Sequence, residues 1–314
     1  MNTPPTRGGH GRGRGRGRGR GNAHFVRTPS QERLREELRG VSRETQSVIP
    51  DILVSTNRCP PDGFIYQPPF PPRLNASKCP RITGTKIEIV EEDTFDAAIA
   101  IDKSPSQTGD ETPVCVLNMA SERAPGGGWL SGAQAQEEAL CRRSTLSATL
   151  KQSFYPTPWE AVIYSPTVMI FRNSLKDGHG LMDFSYPDVL PVVSVITKAG
   201  PRRPAVARGG QSGSGSRYAN INERNRMKAI MRVVLRMAVW EGHRRLVLGA
   251  LGCGAFGNPR EDVAECWAEV FAEAEFQGGW WEKVVFAVID GSGQGKEGND
   301  NVGVFFRRLD GMDV

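Results

Sequence analysis

Three consecutive glycines, followed by an amide and two carboxylates, are the residues of this sequence best suited to chemistry. They are Gly126, Gly127 and Gly128, and then Gln136, Glu137 and Glu138. Glycines let the backbone approach a ligand closely and turn N–H groups toward it. A helix that begins after them adds the positive end of its dipole, which favours a phosphate or diphosphate. The amide and carboxylates in the first turn of that helix would then suit the hydroxyls of a sugar.

The same residues also have a purely structural interpretation. Acids in the first turn of a helix are ordinary partners of the helix dipole, and three glycines are often only a loop. The patterns GxxxxGK[ST] and GxGxxG are absent from the sequence, so the common nucleotide-binding motifs do not apply. The residues alone therefore leave two interpretations open, a phosphate-and-sugar site and a plain loop.

A second glycine-rich loop lies between a predicted strand and a predicted helix. Its residues are Gly252, Cys253, Gly254, Ala255, Phe256 and Gly257. Two such loops at neighbouring strand ends can hold a diphosphate from both sides. Cys253 could be a nucleophile, but no Cys–His pairing is visible in the sequence. We therefore interpret it as a small packing residue.

Two further polar residues stand at the ends of predicted strands. Asn118 could form a turn or contact a ligand, and Asp93 suits the N-terminus of the helix predicted at 94–101. No group of histidines and acids has the spacing of metal ligands. We therefore expect neither a metal nor another cofactor.

Strand and helix patterns alternate along most of the chain. Strands are predicted at 86–90, 114–119, 161–164, 168–171, 192–197, 246–251 and 284–289. Helices are predicted at 94–101, at 136–150, around 227–238 and from 259 to about 276, the last with Asn258 as N-cap, Pro259 at N1 and Glu261 at N3. A short segment follows the last strand. The alternation indicates an α/β fold with helices on both faces of a mostly parallel or mixed sheet.

The N-terminal part of the chain differs in composition from the rest. Residues 1–30 carry seven of the 40 basic residues and no acid, which leaves 33 basic against 35 acidic residues elsewhere. The Arg-Gly repeat at 7–21 is expected to be disordered. It suits weak binding of RNA or another polyanion, or it is a solubilising or targeting extension. A helix is predicted from Ser30 to about Val48, and an irregular Pro-rich wrap at 50–80.

Composition limits the classes of protein to which the chain can belong. It has 314 residues, 38% hydrophobic and 24% charged, as in globular proteins. We expect residues 1–30 to be a tail and 31–314 one domain, of which 31–80 are an accessory extension. The start has no apolar signal segment, and no apolar stretch is long enough to span a bilayer. We expect a nuclear or cytoplasmic protein without membrane partners, and a monomer.

The two loops resemble a known family. The pattern GGG, seven residues, then QEE resembles the signature of microbial-type poly(ADP-ribose) glycohydrolases, and so do LCRRSTL after the acids and LVLGALGCGAFGNP at 246–259. The similarity runs from about residue 31 to the C-terminus. It implies a three-layer α/β/α macrodomain with a mixed sheet, in which Glu138 is catalytic. It also implies that Asn118 and Phe256 contact the distal ribose and that Asp93 binds the adenine amino group.

The implied reaction is hydrolysis of the O-glycosidic bond at the distal ribose of ADP-ribose. Glu138 would protonate the leaving oxygen and then deprotonate a water, while Gln136 and Glu137 orient the ribose. Two alternatives remain: a non-catalytic ADP-ribose reader, and an RNA-associated macrodomain that acts on another nucleotide-like ligand. Poly(ADP-ribose), protein-linked mono-ADP-ribose and nucleic-acid-linked ADP-ribose all fit the pattern. The resemblance also implies a link to the DNA damage response.

Overall fold

The structure is a computed structural model that describes residue 1 and residues 28–109, 111–207, 215–289, 291 and 293–314. The Arg-Gly repeat at 7–21, for which polyanion binding is predicted, lies outside the described residues. The division of the chain into a tail, an accessory extension and a domain therefore stays a prediction.

One mixed sheet of seven strands forms the centre of the fold. The strands of the chain are β1 (Phe64–Tyr66), β2 (Ile87–Val90), β3 (Cys115–Met119), β4 (Val162–Met169), β5 (Val192–Lys198), β6 (Val206–Ala207), β7 (Arg217–Tyr218), β8 (Arg245–Leu248) and β9 (Lys283–Ala287). The order in the large sheet is β1-β4-β5-β3-β8-β9-β2, and β6 pairs with β7 separately. From β5 to β2 all neighbours are parallel, whereas β4 is antiparallel to β1 and β5. The loops that follow β3, β5 and β8 therefore share one edge.

Helices cover both faces of this sheet. They are α1 (Pro29–Ser55), α2 (Thr94–Asp102), α3 (Gln136–Arg143), α4 (Leu146–Thr149), α5 (Ile221–Trp240), α6 (Arg260–Phe271) and α7 (Asn301–Leu309). Along β3 the buried side chains alternate, so that Val116 packs with α2, α3 and α4 whereas Leu117 packs with α5, α6 and α7. This arrangement confirms the predicted α/β fold. None of the helices in the described ranges is long and apolar enough to cross a membrane.

The first helix differs from its prediction at both ends. Thr28 is its N-cap and forms a capping box with Gln31, and the helix continues through Pro50 to Ser55. Proline removes one helical hydrogen bond, which led us to expect the helix to end before it. Ile49 and Ile52 are 7% and 1% exposed, and their packing stabilises the helix beyond the proline.

The Pro-rich stretch is not entirely irregular, contrary to our prediction. Strand β1 lies within it and pairs with β4, where Phe64 faces Tyr164 and Tyr66 faces Val162. Because β1 is an edge strand, neighbouring prolines need not donate to a second strand, which makes it compatible with this composition.

Several element boundaries were also wrong. The helix predicted at 136–150 is broken at Ser144 and Thr145 into α3 and α4, and the two strands predicted at 161–171 are one strand with a bulge. Ser144 instead forms an isolated β-bridge with Ile170, the residue that follows β4. The helix predicted to reach 276 ends at Phe271, and α7 occupies the terminal region for which only a short segment was expected.

The cap predicted for α6 was displaced by one residue. Pro259, not Asn258, is the N-cap, and no side chain caps this helix. Asn258 is buried and donates through Nδ2 to the carbonyl oxygens of Gly252 and Pro201, at 3.0 and 2.7 Å. Its amide therefore holds the second glycine-rich loop in shape, a use of Asn that local sequence pattern does not reveal.

Candidate functional site

The first glycine-rich loop folds directly over the carboxylates of α3. Gly128 donates its backbone N–H to Glu138 Oε1 at 2.8 Å. Gly127 has φ +56°, and a Cβ built there would lie 2.6 Å from Glu138 Oε1 and 2.8 Å from Glu137 Oε2. Only glycine fits this position, because a side chain would be strained and would collide with both acids.

Both acids are buried at the start of α3. Glu137 is 2% exposed and Glu138 8%. Glu137 Oε2 accepts the backbone N–H of Ser121 at 2.6 Å. Within the part of the chain that the structure describes, Glu137 Oε1 and Glu138 Oε2 are buried and accept no hydrogen bond. Each carboxylate therefore has one oxygen fixed by the backbone and one oxygen unsatisfied, and an unsatisfied buried oxygen is typical of a site that binds a ligand or water.

The surroundings of Glu137 favour its neutral form. Burial and, to a smaller extent, the neighbouring Glu138 raise the pKa of Glu137 to about 8, against the lowering effect of the Ser121 N–H. A protonated carboxyl group can donate a hydrogen bond to a sugar hydroxyl as well as accept one. Perturbed pKa values of this size are common at functional sites.

Gln136 holds the helix to the sheet. Its Nε2 donates to the Leu117 carbonyl oxygen at 2.7 Å and to Thr94 Oγ1 at 3.1 Å, and its Oε1 accepts from the Met119 N–H at 2.8 Å. Both amide hydrogens are thus engaged within the protein. The structure gives Gln136 the role of fixing the first turn of α3 against β3 and α2, while contact with the ribose stays a prediction.

Asn118 lies at the end of β3, on the sheet face that packs with α3. Its Nδ2 donates to Thr197 Oγ1 on β5 at 3.1 Å, and its Oδ1 is buried with no partner among the described residues. Its side chain also favours the charged form of Glu137, which indicates that the two groups are close. Asn118, Glu137 and Glu138 therefore place three unsatisfied oxygens in one region.

Two glycines of the second glycine-rich loop, Gly254 and Gly257, are open, whereas Gly127 in the first loop is crowded. A Cβ on Gly254 or Gly257 would meet no atom within 4 Å, so space for a ligand lies above these residues. Ala255 between them is exposed. Cys253 packs against the core and burial raises the pKa of its thiol, so the thiolate that a nucleophile requires is disfavoured.

Phe256 is part of a link between the loops that the sequence did not indicate. The guanidinium of Arg202 lies 4.1 Å from the centre of the Phe256 ring. The same group binds Glu122, in the first loop region, through two hydrogen bonds of 2.8 and 3.0 Å. Arg203, at φ +49°, donates its N–H to the Phe256 carbonyl oxygen at 2.7 Å. The loop after β5 thus ties both glycine-rich loops together.

Asp93 is occupied structurally. It caps α2 through the Phe95 N–H at 2.8 Å and forms an ion pair with the buried Arg143 of α3. This is the helix-terminal role that we considered from sequence. The adenine contact implied by the resemblance stays a prediction.

Helix α1 braces the first glycine-rich loop from outside. Buried Ser42 donates to the Trp129 carbonyl oxygen, and Arg35 donates to that of Ser131, both at 2.7 Å. Thr45 donates to the Arg142 carbonyl oxygen of α3, also at 2.7 Å. No local sequence signal identifies these contacts, because they join residues about 90 positions apart.

The chemistry available here is proton transfer and hydrogen bonding by carboxyl groups beside an anion-binding backbone. Among the described residues no three His, Cys, Asp or Glu side chains form a group that could hold a metal ion. The positive end of α3 and the loop N–H groups favour a phosphate, and the paired acids suit glycosidic hydrolysis.

Comparison with known proteins agrees with this geometry. Residues 52–173 match the family described as microbial-type PARG, catalytic domain. The crystal structure of poly(ADP-ribose) glycohydrolase from Thermomonospora curvata bound to the inhibitor ADP-HPD is 31% identical, with 88% of this chain and 100% of that chain covered and a TM-score of 0.66. The chain belongs to the poly(ADP-ribose) glycohydrolase family.

Other members of the poly(ADP-ribose) glycohydrolase family are similar over the same extent. The enzyme from Deinococcus radiodurans in complex with ADP-ribose is 28% identical, with 90% of this chain and 98% of that chain covered and a TM-score of 0.57. No curated protein sequence matches the chain. The family that the two glycine-rich loops resembled is therefore confirmed.

Proposed function

We propose that this protein is an ADP-ribose glycohydrolase that cleaves the O-glycosidic bond at the distal ribose, with poly(ADP-ribose) as its substrate. The observation that carries the proposal is the pair Glu137 and Glu138, buried under Gly127 with one unsatisfied oxygen each. Family membership supports the same activity, since relatives are glycohydrolases solved with ADP-ribose or an inhibitor.

The two acids have different roles in this proposal. Glycosidic hydrolysis passes through an oxocarbenium-like transition state that needs a proton on the leaving oxygen and a water at the anomeric carbon. Glu138, fixed through one oxygen by Gly128, protonates the leaving oxygen with the other and then deprotonates the water. Glu137, with its raised pKa, orients the ribose by hydrogen bonding. Asn118 Oδ1 and the ring of Phe256 complete the ribose site.

The glycine-rich loops hold the diphosphate in this proposal. The first loop lies on one side of the ligand, and the open backbone around Gly254 and Gly257 receives the ligand from the other. Anions at such strand–loop–helix junctions gain from several N–H groups at once.

The test is an activity panel with purified full-length protein. Release of ADP-ribose is measured from poly(ADP-ribose), from mono-ADP-ribosylated protein and from ADP-ribosylated nucleic acid. We expect turnover of poly(ADP-ribose). ADP-ribose binding by calorimetry without turnover of any of the three substrates would contradict the proposal and favour a non-catalytic reader.

We further propose that the Arg-Gly repeat at 7–21 binds polyanions weakly and without sequence preference, because its arginines alternate with glycines. Deletion of residues 1–30 should weaken binding of RNA and poly(ADP-ribose) at low salt and flatten its salt dependence. Unchanged affinity at low salt would exclude the repeat as the polyanion site. We also propose that the protein is a monomer and that it is nuclear or cytoplasmic.

A further inference from the structure

An exposed tryptophan stands beside the candidate active site. Trp159 is 43% exposed and precedes β4 at the same sheet edge as the glycine-rich loops. Two residues earlier, Thr157 donates its N–H to the Glu122 carbonyl oxygen at 2.8 Å. Glu122 follows Ser121, whose N–H holds Glu137. Trp159 is thus connected to the catalytic acids through a short run of backbone contacts.

A cleft of about 510 Å³ extends from Trp159 along α5. Its walls include Phe70 and Ile230, and Lys198 lies at its inner end, where Nζ donates to the Trp159 carbonyl oxygen at 2.7 Å. Lys198 is 3% exposed. Three glutamates, Glu160, Glu273 and Glu275, also line the cleft, and the last two pair with Arg232 and Arg236. The volume and the mixture of aromatic, apolar and charged walls fit a nucleoside, whose ribose hydroxyls can donate to carboxylates.

A cationic group lies beside this tryptophan. The guanidinium of Arg226 lies 5.0 Å from the centre of the Trp159 ring. Aromatic rings combined with arginines bind bases by stacking and phosphates by charge. The surface between the acids and the cleft is therefore suited to a nucleotide outside the catalytic site.

We propose that Trp159, Arg226 and the cleft beside them bind the leaving unit of a poly(ADP-ribose) chain, with the adenine on Trp159. The inference rests on the proposed function. In a chain the leaving oxygen belongs to the adenosine of the next unit, whereas in mono-ADP-ribosylated protein it belongs to an amino-acid side chain. A nucleoside site at the sheet edge that carries the acids therefore favours chains as substrate.

The test compares chain hydrolysis with binding of single ADP-ribose. Trp159→Ala should raise KM for poly(ADP-ribose) about tenfold, the order expected for loss of one base–aromatic stack. Its kcat for chains and its Kd for ADP-ribose should stay within about twofold. Trp159→Phe should restore most of the affinity for chains, and Arg226→Gln should raise KM by a smaller factor.

Tyr186→Ala is the matched control, because Tyr186 is 71% exposed and precedes β5 at the opposite sheet edge. It should leave every constant unchanged. An unchanged KM for chains in Trp159→Ala, or an equal loss of affinity for ADP-ribose, would overturn the inference. So would an equal loss of affinity for RNA of the same length in Trp159→Ala, since the cleft would then be a general nucleic-acid site.

The nucleoside site can be tested even if the proposed hydrolytic function is wrong. If the wild-type protein hydrolyses no chains, calorimetry with poly(ADP-ribose) and with ADP-ribose still tests the cleft. If the wild-type protein binds poly(ADP-ribose) more tightly than ADP-ribose and Trp159→Ala abolishes this difference, the subsite is supported in a non-catalytic protein. Equal affinity of wild type and variant for chains would overturn it.

Discussion

The two glycine-rich loops differ in what surrounds their glycines. At Gly127 an added Cβ would collide with both acids, whereas at Gly254 it would meet no atom within 4 Å. The first loop is also braced from outside by Ser42 of α1. The second is held from within by Asn258, and contacts of Phe256 with Arg202 and Arg203 join it to the loop after β5.

The difference indicates that the two loops have separate roles, positioning of the acids in the first and ligand binding in the second. A loop packed onto two carboxylates fixes their positions, and small errors of position in catalytic groups are costly in rate. A loop in which Gly254 and Gly257 face open space admits a ligand and contributes binding energy. We therefore expect substitutions in the first loop region to change the chemical step, and substitutions in the second to change affinity.

The largest effect is expected at the catalytic acid. Glu138→Gln keeps the shape and the Gly128 hydrogen bond but removes proton transfer, so kcat should fall by about 10²- to 10⁴-fold. ADP-ribose affinity should stay close to that of the wild type. Glu137→Gln is the matched control, and its kcat should fall less, because the side chains of consecutive helical residues point about 100° apart and cannot share one role. Near-normal turnover by Glu138→Gln would refute the assignment.

Stability should depend on pH through Glu137. Its pKa is about 8 in the folded protein against a usual 4.5, so the folded state binds more protons than the unfolded state between these values. The free energy of unfolding should therefore fall as pH rises from about 5 to 8, by up to about 1.4 kcal/mol per pH unit. Glu137→Gln should remove this part of the slope in urea titrations. An identical slope in variant and wild type would show that Glu137 ionises normally.

Replacing one glycine by alanine in each loop tests the difference between the two loops directly. Gly127→Ala should lower the free energy of unfolding by about 1–3 kcal/mol, because of its positive φ and the collision with Glu138. Gly254→Ala should change it by less than about 0.5 kcal/mol. Thermal unfolding measures both, and equal destabilisation would remove the distinction between a crowded loop and an open one.

The smallest effect is expected at the hydrogen bond between Ser42 of α1 and the first glycine-rich loop. Ser42→Ala leaves the buried Trp129 carbonyl oxygen without its side-chain donor and should cost about 1 kcal/mol of stability. Ser47 on the same helix is exposed and bonds only within α1, so Ser47→Ala is the control. Urea unfolding of both variants checks the prediction, and equal stability would show that the Ser42 contact contributes nothing.

The sequence was informative where the determinants are local. The strand before Asn118, the glycines and the acids of α3 were all located from periodicity and loop composition. The glycine at 127 and the carboxylates at 137 and 138 meet because a loop, a strand end and a helix start adjoin in sequence.

Contacts between distant segments could not be predicted in this way. Arg202 binds Glu122 across 80 residues, and Ser42 reaches Trp129 across 87. Pro50 lies inside α1 because buried Ile52 compensates for the lost hydrogen bond, and packing of that kind is not visible in local propensity. Sequence therefore located the chemistry but not the contacts that hold it in place.

Single-turnover hydrolysis of poly(ADP-ribose), with enzyme in excess and raised to saturation, tests the separate roles of the two loops most directly. Gly254→Ala should need more enzyme to saturate, yet reach a limiting rate within about threefold of the wild type, because only binding is impaired. Glu138→Gln should saturate at the wild-type concentration and remain slow by about 10²-fold or more. A limiting rate for Gly254→Ala as low as that of Glu138→Gln would contradict the account, and so would a normal limiting rate for Glu138→Gln.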